Sequence, residues 1–157
     1  MIHRILCVII SIAFFQCSEV SSVDPIEFEN SYDKVFTLLE KDLDSAMLVV
    51  DNTLELATEH NIVAEVMYAH YMKGYIYDEL DDLPNALMSY LHALKILEKT
   101  SDKSLRARHI DVLHDIGNIF GKSYKYTNAI AYYDRGLELA TNEDDQSRML
   151  MLMYSKA

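Results

Sequence analysis

Five histidines lie beyond the first two dozen residues: His60, His70, His92, His109 and His114. No two of them stand four residues apart, and no HExxH occurs, so the sequence lacks the spacing that sets paired imidazoles on one helical face for zinc. Two acidic groups, Asp81–Asp82 and Asn142–Glu143–Asp144–Asp145, read as turn and helix-cap chemistry rather than as calcium ligands or an acid–base pair. Serine and cysteine nucleophile motifs are missing, as are glycine-rich phosphate loops. The expectation is no catalytic residue, no metal ligand, no cofactor and no enzymatic activity.

The residue with the clearest covalent prospect is Cys17. "MIHR" supplies one positive charge, and Ile5 to Phe15 is apolar except for Ser11. That run is too short to span a hydrocarbon core of ~30 Å as a helix, but it suits the core of a signal peptide. A cysteine directly after such a run resembles the lipid-attachment site of bacterial lipoproteins. Phe15 and Gln16 stand where small residues normally precede that cysteine. Cleavage after Ser22, with Val20 and Ser22 as the small-pocket residues, is the competing route. Both routes imply export, to the periplasm or to a membrane as an anchored lipoprotein. Residues 1–17 are read as the signal and 18–29 as a tether. Cys7 leaves with the signal, so no intrachain disulfide forms and stability must come from packing.

The chain has 157 residues, half of them hydrophobic, with only 4 Gly and 2 Pro. That composition favours one all-helical domain with a real core. Without Arg4 there remain 13 basic residues against 25 acidic ones. Such a surface repels phosphate backbones, which excludes nucleic acid and leaves a protein or peptide, of basic character, as the expected partner.

The elements that must position any binding residue show up as a repeat. "KDLDSAMLVVDNTLEL", "DDLPNALMSYLHALKI" and "YKYTNAIAYYDRGLEL" align so that Ala46, Ala86 and Ala129 coincide, at spacings of 40 and 43 residues. Thr53, Ala93 and Gly136 follow seven residues later. Lys34, Gly74 and Gly117 stand twelve residues before each alanine, and "YMKG" recurs as "YSKA" at the end of the chain. Apolar residues recur at helical spacing on both arms of each unit. Asp81–Asp82 ahead of Pro84 marks a helix start. Each unit therefore reads as an antiparallel helical hairpin.

Mid-helix glycine is disfavoured by ~1 kcal/mol, so its recurrence at equivalent points signals a packing demand. Helices cross closely where side chains are small. Gly74 and Gly117 let the second arm approach the first, with Ala86 and Ala129 as the opposing small sites. Ala93 and Gly136 let the next hairpin dock.

This pattern resembles the tetratricopeptide repeat, through Gly74, Tyr77, Ala86, Tyr90 and Ala93 in one unit and Leu113, Gly117, Phe120, Ala129, Tyr133 and Gly136 in the next. His70 stands where the middle unit would have a large apolar residue. The first unit, with Lys34, Thr37 and Thr53 in place of small and aromatic residues, looks like a worn capping unit. The resemblance implies antiparallel hairpins stacked into a right-handed superhelix, an α-solenoid, with units at 30–60, 62–100 and 104–141 and a partial one at 146–157. The usual unit is ~34 residues. The excess here falls in "EKTSDKSLRARHIDV", which predicts longer flanking helices with a turn near Ser101–Asp102. The resemblance also places Tyr71, Tyr75, Asp78, Glu79, His114, Asn118 and Lys122 on the inner groove, where tyrosine and asparagine can hydrogen-bond an extended peptide and Asp78 with Glu79 can pair basic side chains. The chaperone-type carboxylate clamp is not implied, because Tyr71 and His114 occupy positions where it would use lysine.

"SRMLMLMYSKA" is apolar over most of its length, halfway into a fourth unit. Two readings follow: the chain is a fragment of a longer array, or the last helix closes the stack, alone or by self-association. The function expected is a non-enzymatic scaffold for protein interaction outside the cytoplasm. The alternative is the sensor portion of a signal-transduction regulator whose histidine-kinase or helix-turn-helix output domain is not in this sequence.

Overall fold

The computed structural model describes residues 25–157; the expected signal segment, Cys17 and residues 18–24 lie outside it. Seven α-helices follow one another among the described residues: α1 (Pro25–Leu39), α2 (Leu43–Glu59), α3 (Val63–Glu79), α4 (Leu83–Leu97), α5 (Arg106–Lys122), α6 (Tyr126–Asn142) and α7 (Gln146–Lys156). Each packs on its successor, most extensively α3 on α4 and α5 on α6, which gives three consecutive hairpins and a seventh helix.

Helix ends follow from local chemistry. Asp42, Asp82 and Asp145 accept from the backbone N–H groups of Ser45, Asn85 and Arg148 at 3.1, 3.2 and 3.0 Å, which satisfies N–H groups that a helix start leaves unpaired. Four of the turns place one residue in the left-handed region: Asn61, Asp81, Tyr124 and Asp144, with φ of 54–59°. Asparagine and aspartate tolerate that conformation; tyrosine does so at a cost.

Two expectations are corrected. The helical part begins at Pro25, inside the segment read as a tether, because proline is accepted in a first turn and Phe28 has a buried site to fill. The excess length between the second and third units does not lengthen the flanking helices. α4 has 15 residues and α5 has 17, the same as α2, α3 and α6. The extra residues form the 98–105 connection, where Asp102 Oδ1 accepts from Ser104 N at 2.9 Å and Thr100 Oγ1 accepts from Asp102 N at 3.1 Å, closing a 3-10 turn over Lys103–Leu105. Such side-chain bonds give the backbone an alternative to continuing the helix.

The core runs along the stack in three linked patches. Val35, Ala46, Val50, Ala69, Met72 and Ile76 join the first hairpin to α3. Tyr90, Leu94, Leu97, Val112, Leu113 and Ile116 join the second hairpin to α5. Ile110, Tyr133, Ala140 and Leu152 join the third to α7. Small residues decide how closely the rods approach. A Cβ on Gly74 would meet the Tyr90 ring at 2.5–2.8 Å, and one on Gly117 would overlap the Tyr133 ring. A Cβ on Gly136 would meet Leu152 of α7 at 3.0 Å. Ala86, Ala93 and Ala129 are buried on the second helices. In the first hairpin the equivalents of Gly74 and Tyr90 are Lys34 and Val50. There a small side chain on the second helix accompanies a large one on the first.

Candidate binding face

The first helices of the hairpins, α1, α3, α5 and α7, are tied to one another on one face. On α3, Tyr68, Tyr71, Tyr75 and Asp78 follow at spacings of three and four, and on α5 Arg108, Asp111, Asp115, Asn118 and Lys122 do the same, so each set shares a helix side. Tyr32 of α1 donates its hydroxyl to Glu65 Oε2 at 2.9 Å and meets the Tyr68 ring edge-on at 4.4 Å. The Arg108 guanidinium of α5 lies over the rings of Tyr71 and Tyr68, 4.5 and 5.0 Å from their centroids. Arg108 also pairs with Asp111, at 3.5 Å, so the cation–π contacts and a carboxylate together fix it.

Most remaining charges are internally matched. Lys122 Nζ donates to Asp78 Oδ1 at 2.6 Å. Arg148 of α7 reaches Asp111 through Nε at 2.7 Å and through a terminal nitrogen at 3.2 Å, and donates to Asp145 at 2.7 Å. The Tyr133 hydroxyl donates to Asn118 Oδ1 at 2.8 Å, and the Asn118 amide lies 3.3 Å from His114 Nδ1. His114 Nε2 lies 2.9 Å from Ser155 Oγ, which donates to the Met151 carbonyl at 3.1 Å. His114 Nδ1 also lies 3.2 Å from Asp115 Oδ1, so α6, α5 and α7 share one chain of polar contacts through this imidazole. Glu40 and Glu79 enter no ion pair among the described residues, and Asp115 pairs there with no Lys or Arg, its one ion-pair partner being His114 Nδ1 at 3.2 Å. The face therefore keeps unmatched negative charge.

Between α1, α3 and α5 lies an open cavity of about 460 Å³ lined by Phe36, Leu39, Tyr68, Tyr71, Tyr75 and Arg108, with Glu40 and Met72. A volume in this range accommodates several side chains of a ligand. Burial, and then the Asp115 charge, push the Tyr71 phenol well above its ordinary range; burial and Glu79 push Tyr75 up as well. Both phenols therefore stay protonated donors at neutral pH.

The seven residues that the sequence placed on the groove all belong to this network or its margin. Tyr75 is 37% exposed and Glu79 is exposed, so both are open to a ligand. Tyr71 is half-buried beneath Arg108. Asp78 and Lys122 hold each other, and His114 and Asn118 are engaged in the hydrogen-bond chain. Sequence reasoning missed Phe36, Tyr68, Arg108, Asp111, Asp115 and Arg148. Extending the three-and-four spacing one turn back from Tyr71 and three turns back from Asn118 would have reached Tyr68 and Arg108.

Among the described residues no helix is long and apolar enough to cross a membrane, and no group of three or more His, Cys, Asp or Glu side chains is placed to hold a metal ion. No curated protein matches the chain in sequence comparison. The solved structure titled "Crystal Structure of the Apo Form of RapI" superposes with a TM-score of 0.72 at 22% identity, covering 80% of this chain. The chain spans only 44% of the length of that protein, and the likeness is one of fold. A family model described as tetratricopeptide repeat matches residues 68–99 and 110–143, the second and third hairpins. Those two segments are tetratricopeptide repeats, set in an all-helical stack of the same kind of hairpin.

Proposed function

We propose that the chain is a non-enzymatic scaffold that binds an extended segment of another protein along the face of α1, α3 and α5. The aromatic cavity around Tyr68, Tyr71 and Tyr75 carries this reading, because it is open while the polar groups around it are largely satisfied. Backbone amides of an extended peptide fit tyrosine hydroxyls, and its apolar side chains fit against Phe36 and Leu39. Glu40, Glu79 and Asp115 favour a basic segment. The supporting test is a photo-crosslinking residue at Tyr75 or Phe36 in the whole chain. Capture of a protein there, and not from exposed Leu48 or Met88 on the second helices, is the expected result. Equal capture from both sides would count against the assignment.

Export, with the array in the periplasm or held at a membrane through Cys17, belongs to the same proposal. It rests on the apolar run before Cys17. Metabolic labelling with a palmitate analogue, lost in Cys17→Ser, separates lipidation from simple cleavage. Exposed Leu150, Met153 and Tyr154 on α7 support self-association through that helix.

A further inference from the structure

The repeat provides its own control for the charge of each hairpin. On the edge between first and second helices, the first unit carries Asn30, Asn52, Glu55 and Glu59. The third carries Leu113, Arg135, Glu138 and Asn142 at the same register. The second carries His70, His92, Lys95 and Lys99. Glu55 and Glu138 thus give way to Lys95, Glu59 and Asn142 to Lys99, and Asn30 and Leu113 to His70, in one hairpin only.

These four residues meet in space. The rings of His70 on α3 and His92 on α4 are in edge contact, 5.0 Å between centroids at 72°. With Lys95, Ile96 and Lys99 they line an open cavity of about 350 Å³, in which every polar lining side chain is basic. Besides His92, Lys73 on α3 is the charge that acts on His70, and Lys73 is paired with Asp51 of α2. Lys95 and Lys99 enter no ion pair among the described residues. Cations crowded without a counter-charge repel one another, and an anion seated among them relieves that repulsion. The cluster stands out all the more in a chain with 25 acidic and 14 basic residues.

We propose that this groove on the second hairpin binds a small multivalent oxyanion, phosphate or a phosphomonoester, held by Lys95 and Lys99 and by imidazole N–H groups of His70 and His92. The site lies on a different edge from the first-helix face and is independent of what that face binds. Without a ligand, burial first and the neighbouring His92 and Lys73 next depress the His70 pKa to about 4. A bound anion stabilises the protonated ring, so occupancy raises the proton affinity of His70.

The test is a titration of the whole chain with inorganic phosphate at constant ionic strength and about pH 7.5, followed by the ring-proton resonances of the histidines. Saturable shifts confined to His70 and His92 are expected. The Lys95→Glu/Lys99→Glu variant installs the residue type of Glu55 and Glu59 and is expected to stay helical by circular dichroism while losing binding at least about 10-fold. Shifts that never saturate, shifts that sodium chloride reproduces, or unchanged binding in the charge-swapped variant would each overturn the site. Vesicles with and without anionic lipid separate the sources of phosphate: the net charge of the chain predicts no preference for the anionic vesicles, and such a preference without binding to inorganic phosphate would refute the small-anion assignment.

Discussion

Adding one methyl group at Gly74 tests the packing logic directly. On helix propensity alone, Gly74→Ala would stabilise α3 by ~1 kcal/mol. Against that, the new Cβ would sit 2.5–2.8 Å from three ring carbons of Tyr90, a side chain only 1% exposed. Carbon atoms prefer separations near 3.5–4 Å, so the ring must move by roughly 1 Å inside a close-packed core. Overpacking of that kind costs about 1–3 kcal/mol, and the immobility of Tyr90 puts the cost at the upper end. The net expectation is a loss of about 2 kcal/mol, or a Tm lower by roughly 5–8 °C for a domain of this size. Thermal unfolding followed by circular dichroism measures it. The first hairpin indicates the remedy, because Val50 stands where Tyr90 does and the residue opposite is Lys34. Tyr90→Val should therefore relieve the clash, and the double variant should be more stable than the sum of the single effects by about 1–3 kcal/mol. A Gly74→Ala protein that melts higher than the parent, or a strictly additive double variant, would refute the claim that the glycine exists to seat the ring.

The remaining expectations concern other parts of the stack. Gly117→Leu meets the same obstacle at Tyr133 with a larger side chain and should lower Tm more than Gly74→Ala does. Tyr124→Asn should raise stability by about 0.5–1 kcal/mol, since φ is 59° there, the ring is 80% exposed, and the other left-handed turn positions carry Asn or Asp. Arg148→Ala removes the two-point contact with Asp111 and the contact with Asp145, and should selectively raise amide exchange in α7 while α3 and α4 stay protected. The neutral, half-buried His70 makes stability pH-dependent. Its folded pKa of about 4 lies below the ordinary value of 6.5, so the unfolded chain binds the proton more readily. Stability should be complete above pH 6.5 and decline as pH falls towards 4. His70→Leu, which places the residue type of Leu113 there, should flatten that part of the curve, as urea midpoints across the range would record.

The fold was legible because it rests on sterics repeated at one spacing. Ala86 and Ala129, and Gly74 and Gly117, recur in register, and a second-helix alanine is buried in every hairpin. What fills the glycine notches was harder to read. Tyr90 and Tyr133 each lie four residues beyond an alanine, and an aromatic at that place reads equally well as part of a surface stripe. In the 98–105 connection the turn near Ser101–Asp102 was legible, and the length of the helices beside it was not. "EKTSDKSL" is compatible with longer helices by composition, and the Asp102–Ser104 and Thr100–Asp102 hydrogen bonds hold the turn instead. The candidate face was partly legible for a related reason. Helical spacing places Tyr71, Tyr75 and Asp78 together, but Arg108 and Tyr68 meet only across two helices brought together by packing some forty residues apart in sequence.

That dependence links the notches to the binding face. Tyr32, Tyr68 and Arg108 belong to three different hairpins, and their mutual contacts at 4.4 and 5.0 Å exist only if α1, α3 and α5 keep their relative tilt. The tilt is set on the other side of the rods by small residues, where Ala46, Ala86 and Ala93 admit neighbouring helices. Lys122–Asp78 and Arg148–Asp111 then bridge adjacent first helices on the face itself. Exposed pairs of this sort add little stability individually, but they resist sliding of one hairpin past the next. In a stack where each unit touches only its neighbours, a ligand that contacts α1, α3 and α5 together must order two interfaces at once. Its affinity therefore reports the geometry of the stack, and a notch substitution such as Gly74→Ala should weaken it without touching any residue that meets the ligand.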